Sequence, residues 1–178
     1  MLLHTSRLGL RRFTAADAPA FSAYRSDPAI ARYQSWTAPF PLEAATERIR
    51  TYNDDPQQPG WFQYAVELTA DGCLIGDVGF HLHENLMQGD LGFTLAPGRH
   101  GHGYATEAVR AVLHNRFDDG LHRVSAECDA RNTRSRRLLE RVGFQLEGQR
   151  PAFTWAHGEW SDQCLYGLLA DQWQRVTP

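Results

Sequence analysis

The chain has 178 residues, 42% apolar and 22% charged, with a formal net charge of −3. That size suits one domain with a substantial core, so residues 1–178 are expected to form a single unit. The charge balance excludes a global basic field for nucleic acid, no apolar run approaches a membrane span, and the first residues lack the pattern of a signal peptide. A cytoplasmic protein with no nucleic-acid or membrane partner is the expectation.

Leu8 to Phe13 alternates and reads as a first strand. Thr14 and Asp17 then resemble a capping box before a short helix carrying Ala18, Phe21, Ala23 and Tyr24, which ends ahead of Asp27-Pro28. Ile30 to Pro41 is irregular and aromatic. Pro41 opens a second helix whose apolar face is Ala45, Ile49 and Tyr52. After a polar loop over Asn53–Gly60, Trp61–Leu68 and Leu74–Leu82 form a hairpin around Asp71-Gly72. Glu84-Asn85 breaks the chain again before a strand ending at Leu95.

The next stretch organises the rest. Ala96-Pro97-Gly98-Arg99-His100-Gly101-His102-Gly103 is a glycine-rich turn, and a helix begins near Tyr104. Glycines let backbone N–H groups approach an anion with no Cβ in the way. The helix start adds unpaired N–H groups and the positive end of its dipole. Together they predict a phosphate or pyrophosphate cradle. Ala105, Ala108, Val109, Val112, Leu113 and Phe117 give this helix an apolar stripe, and Asp118-Asp119-Gly120 stops it.

Leu121–Cys128 is another strand. Strand, helix and strand with short connections imply a right-handed crossover and parallel pairing. Asn132 caps a helix bearing Ser135, Leu138, Leu139 and Val142, closed by Gly143. Phe144–Phe153 and Glu159–Leu169 read as long strands joined at His157-Gly158, and they could support a homodimer. The order is β-α-α-β-β-β-α-β-α-β-β, a mixed α/β (α+β) domain with a mostly antiparallel sheet and one parallel crossover. Cys73, Cys128 and Cys164 form no CxxC pair; all lie in apolar, strand-like settings, which predicts buried free thiols.

Three blocks carry a resemblance that spans Leu2 to about Trp173. His100-Gly101-His102-Gly103-Tyr104-Ala105 is similar to a Q/R-x-x-G-x-G/A acetyl-CoA loop, with His100 at the usual Gln or Arg. Asn132 through Gly143-Phe144 is similar to an N-x-x-S/A helix ending in Gly-Phe. Tyr33-Gln34-Ser35-Trp36 is an aromatic cluster of the kind found near an acceptor site. On these blocks the chain resembles the GCN5-related N-acetyltransferase (GNAT) superfamily, in the branch of the ribosomal-protein N-terminal acetyltransferases.

The resemblance implies acetyl-CoA as cosubstrate and direct attack on its thioester by a primary amine, from a protein N-terminus or a small molecule. Phe93, Thr94 and Leu95 would pair with the pantetheine arm, and backbone N–H groups from His100 through Ala105 would hold the pyrophosphate. Asn132 and Ser135 would lie beside the cofactor. Many members carry a Tyr seven residues after the Asn as proton donor to the thiolate. Here that position is Leu139, so the role passes to Ser135, unless that hydroxyl merely bonds back to the carbonyl of Arg131.

For the base, Asp90 stands where a related branch carries a glutamate. The plainer reading is a solvent-facing acid at a strand end. His83, Glu84, Glu159 or a water chain are the other options. Tyr33 and Trp36 would wall the acceptor site. His81 with His83, and His100 with His102, suggest zinc only if they cluster; nothing in their spacing fixes that, and no metal is expected. Arg131, Arg134, Arg136, Arg137 and Arg141 read as a solvated helix face, with one or two near the ribose phosphate. The rival function is a non-catalytic acyl-CoA-binding protein of the same fold.

Overall fold

The structure, a computed structural model, describes residues 2–176. The chain begins with strands β1 (Leu3–His4) and β2 (Leu8–Arg12). Thr14 and Asp17 form the expected capping box on a 3-10 turn, Ala15–Asp17, that leads into α1 (Ala18–Arg25). Then α2 (Pro28–Ala31) and α3 (Leu42–Arg50) precede the hairpin of β3 (Gly60–Leu68) and β4 (Leu74–Leu82). Strand β5 (Gln88–Leu95), helix α4 (Tyr104–Asp118) and strand β6 (Arg123–Asp129) form the crossover unit. Helix α5 (Thr133–Val142), strands β7 (Gln145–Ala156) and β8 (Glu159–Leu169) and helix α6 (Ala170–Val176) complete it.

All eight strands share one sheet, in the order β1-β2-β3-β4-β5-β6-β8-β7. Only β5 and β6 pair in parallel. The expected mixed sheet with a single crossover is therefore the observed one. Three elements escape the sequence pattern. β1 is two residues long. α2 is a single turn that runs into the stretch read as irregular, Ile30 to Pro41; Asp27 Oδ1 accepts from Ala29 N–H at 2.7 Å and Ile30 N–H at 3.3 Å, with Pro28 opening the turn. α6 follows β8 directly, and its Trp173 is buried and stacks on Phe117.

Alternation along β4 sends Val78, Phe80 and Leu82 into the main core beneath α4. Asp77 points to the other face, where Phe21 and Tyr24 of α1 and Phe40, just before α3, form a second aromatic cluster with Ala45 and Ile49 of α3. Asp77 is buried there, takes hydrogen bonds from Tyr24 and Gln63, and lies 3.7 Å from the Arg25 guanidinium. Burial pushes its carboxyl above the usual range, and Arg25 opposes that shift. Arg25 itself is sandwiched between the rings of Phe21 and Trp36, at 4.1 and 3.9 Å.

One thiol departs from expectation. Cys73 is exposed, because it lies in the turn before β4, with its N–H bound to Asp71 Oδ1; Cys128 is half-buried and Cys164 fully buried.

Asp77→Ala leaves Arg25 buried without its carboxylate. It should cost about 3–5 kcal/mol of unfolding free energy, read by urea denaturation. A loss under 1 kcal/mol would mean that the pair does not anchor α1.

Candidate functional site

The site begins where the sheet comes apart. β5 and β6 pair only over Gln88–Leu91 and Arg123–Ala126. Both strands continue, to Leu95 and Asp129, without pairing further. The other edge of β5 stays bonded to β4 as far as Leu95. From Gly92 onward, the β6-facing edge of β5 thus has no strand partner, although backbone N–H and C=O groups demand one.

The gap runs into the glycine loop. Gly98, Gly101 and Gly103 take φ of +76°, +82° and +83°, a conformation that strains any side-chain-bearing residue. A Cβ at Gly98 or Gly101 would point into open space. Gly103 caps α4 with no side chain, and the first helical bond is Glu107 N–H to Gly103 C=O at 3.0 Å. The N–H groups of Tyr104, Ala105 and Thr106 lie ahead of that bond and face outward.

A brace holds this loop from behind, and the sequence analysis missed it. Arg7, in the turn between β1 and β2, donates to His102 C=O at 3.0 Å and to Glu107 at 2.7 Å. Its guanidinium lies 4.6 Å from the centre of the Tyr104 ring. Thr5 Oγ1 donates to Glu107 as well, at 2.5 Å. Partial burial raises the Glu107 carboxyl, but the Thr5 and Arg7 hydrogen bonds outweigh it and hold it low. No local pattern in the sequence links Arg7 to Glu107, a hundred residues on.

Strand gap and loop form one cleft of about 850 Å³. Six arginines line it (Arg32, Arg99, Arg131, Arg134, Arg137 and Arg141), and no carboxylate does. Arg131 is spoken for by Asp129 and Glu159, both at 2.8 Å. Arg136 turns away to Tyr166 and the carbonyl of Ala130. Arg131, Arg134, Arg137 and Arg141 are solvent-exposed, as expected, and the same side chains also form one wall of the cleft. His100 closes one end, with Nε2 3.1 Å from Leu95 C=O and Nδ1 3.1 Å from Arg134. The second nitrogen can accept only from Arg134, so the proton sits on Nε2.

The expected residues separate into two groups. Phe93, Thr94, Leu95, His100, Gly101, Gly103, Tyr104, Ala105, Asn132, Ser135 and Tyr33 line the cleft. Asn132 caps α5 through Ser135 N–H. The Ser135 hydroxyl makes no bond to the Arg131 carbonyl among the described residues, which leaves its proton available to the cleft. Leu139 is buried. His102, Trp36 and Asp90 lie outside the cleft lining. The His102 ring stacks on Tyr104. Trp36 packs on Arg25 and donates to its carbonyl at 3.1 Å, so it supports the α2 segment rather than presenting a wall. Asp90 stands four residues before Thr94 on the same face of β5, roughly 13 Å along the strand. It meets His81 and His83 there, at 3.3 and 2.8 Å. Glu159 is engaged with Arg131.

Residues 7–145 match the family model described as an acetyltransferase (GNAT) domain. The chain belongs to the GNAT acetyltransferase family. Among curated proteins, the uncharacterized N-acetyltransferase YoaA of Bacillus subtilis (strain 168) is 30% identical, over 94% of this chain and 96% of its own. A crystal structure of a GNAT-family acetyltransferase from Bacillus anthracis superposes with a TM-score of 0.87, at 28% identity, over 96% of this chain and 99% of that one. RimJ of Mycobacterium smegmatis, solved with CoA-disulfide, gives 0.82 at 25% identity, over 93% and 83%.

Within this GNAT domain the residues present fit a CoA-type ligand. The cradle at Gly98 and Gly101 is a space that a Cβ would invade, and the arginines supply positive charge for phosphates. The cysteines do not suit nucleophilic chemistry. Burial, with Cys164 opposite, pushes the Cys128 thiol up to about 12, so it stays protonated near neutrality.

With iodoacetamide at pH 8, the native protein should be alkylated at Cys73 alone, read by peptide mass spectrometry. Faster modification of Cys128 would show a reactive thiolate that its burial forbids.

Proposed function

We propose that this GNAT acetyltransferase uses acetyl-CoA to acetylate a primary amine, by direct attack on the thioester. One observation carries the reading. The unpaired edge of β5 opens into a glycine-cradled helix N-terminus, inside a cleft lined by six arginines and no carboxylate. A pantetheine arm can complete the β-ladder as an extra strand, while the loop N–H groups and Arg99, Arg134, Arg137 and Arg141 meet the phosphates. The GNAT relatives solved with CoA support the same cosubstrate.

In the reaction, a C–N bond forms to the acyl carbon and its C–S bond breaks. An N–H on the free edge of β5 receives the charge developing on the acyl oxygen. The acceptor ammonium first gives up a proton. Asp90, hydrogen-bonded to His83, is the acceptor we assign, through intervening water given its distance from Thr94 along the strand. The departing thiolate takes a proton from the Ser135 hydroxyl, which is restored by the second proton that the attacking nitrogen sheds as the amide forms. Tyr33 in the cleft wall meets the acceptor. The acceptor class we assign, a protein N-terminus or a small amine, is drawn from GNAT relatives and not from a feature of this chain.

A panel of amines and N-terminal peptides, screened for thiol release from acetyl-CoA, tests the function. At least one should stimulate release. Binding of acetyl-CoA with no stimulation by any amine would favour a non-catalytic acyl-CoA-binding protein instead. With a working acceptor, Ser135→Ala and Asp90→Asn should each lower kcat by about 10²-fold, with little change in acetyl-CoA affinity by calorimetry. Unchanged kcat in both variants would remove these two residues from the chemistry.

A further inference from the structure

His81 lies on β4 and His83 one residue beyond its end, where the His83 N–H still bonds to Gln88 C=O at 2.9 Å, so both rings reach the same face of the sheet. It is the face opposite α4, because Phe80 and Leu82 between and beside them belong to the core beneath that helix. The β4–β5 register sets Asp90 directly across from His81. Asp90 Oδ2 lies 3.3 Å from His81 Nδ1 and 2.8 Å from His83 Nε2. One donor atom from each of the three residues falls within 4.8 Å of the others.

That spacing is a ligand geometry. A tetrahedral ion with metal–ligand distances of about 2.0–2.2 Å sets its donors about 3.3–3.6 Å apart. The Asp90–His81 contact already has this length, the Asp90–His83 contact needs a small opening, and the two imidazole donors lie within 4.8 Å of each other. The platform is stiff, since β4 is bonded along both edges, to β3 and β5, and Trp61 packs on the His81 ring at 5.2 Å. The three side chains are 34%, 35% and 42% exposed, so an aquated ion can reach them. Beside them lies a hollow bounded by Pro59, Gly60, Glu84 and Asn85, with room for a fourth ligand such as water.

We propose that His81, His83 and Asp90 form a binding site for a divalent cation of the zinc class. Two imidazoles and one carboxylate are a donor set that such borderline ions prefer to Mg²⁺ or Ca²⁺, which seek oxygen. Bound metal occupies the Asp90 oxygen assigned above to proton acceptance. The cation and the acetylation reaction therefore compete, a consequence that rests on the proposed function; the binding itself does not.

The test uses the full chain stripped with EDTA and dialysed. Titrated Co²⁺ should bind saturably at one equivalent, with the visible bands of a four-coordinate site, and Zn²⁺ should bleach them. His83→Gln and Asp90→Asn should each weaken binding about 100-fold. His114→Gln, which breaks the exposed His114–Asp118 pair on α4, should leave it unchanged. In the unsubstituted chain, Zn²⁺ should shift the imidazole resonances of two of the eight histidines. This readout needs no variant to fold. Absence of saturable binding, survival of binding in His83→Gln, or shifts spread over all histidines would each overturn the site. With an acceptor amine present, turnover should fall in step with occupancy. Site-specific binding without inhibition would keep the metal site and remove Asp90 from the reaction.

Discussion

The hydrogen bonds that β5 and β6 do not make govern this molecule. A single parallel pair sits within an otherwise antiparallel sheet, and its strands separate after Leu91 and Ala126. The antiparallel neighbours on either side, β4 and β8, keep their own ladders intact, so the unpaired backbone cannot close up. The molecule therefore holds open a strand-sized slot whose backbone groups lack strand partners, with only the Leu95 carbonyl taken up by His100 among the bonds described. A ligand that is itself extended, with amide groups at strand-like spacing, is what such a slot can accept.

The slot leads to a second set of unpaired groups, at the N-terminus of α4. The left-handed glycines Gly101 and Gly103 turn the chain from β5 into the helix without covering its first N–H groups. The connection between them is rigid because Arg7 and Glu107 tie the loop to the first hairpin. Arginines from α5 and from the loop itself then give the cleft a positive wall, in a chain whose net charge is negative. The positive character of the cleft is a local property, produced by topology and not by overall charge.

The opposite face of the sheet works by another logic. There the network of Asp77, Tyr24, Gln63 and Arg25 fastens α1, and Trp36 lies on Arg25 to carry the following segment to the rim of the cleft. Further along the same strands, His81, His83 and Asp90 gather on an open stretch of sheet. The proton transfer and the cation binding we propose would both draw on that cluster, whereas the ligand cleft is lined by backbone groups and arginines.

By itself the sequence determined most of the elements and the glycine loop before α4. Local periodicity set β3, β4, α4 and α5, and Gly98, Gly101 and Gly103 announced a loop where backbone must approach a ligand. The resemblance carried by that loop and the Asn132 helix then named the family, because those features depend on neighbours in the chain. Tertiary structure alone decided the rest. Arg7 reaches Glu107 across a hundred residues, Trp36 turns from the cleft to Arg25, Arg136 leaves the basic run that its neighbours form, and Asp90 joins two histidines. No local pattern encodes these placements. Each depends on strand register and on which face of an element is buried, and both are fixed only when the sheet assembles.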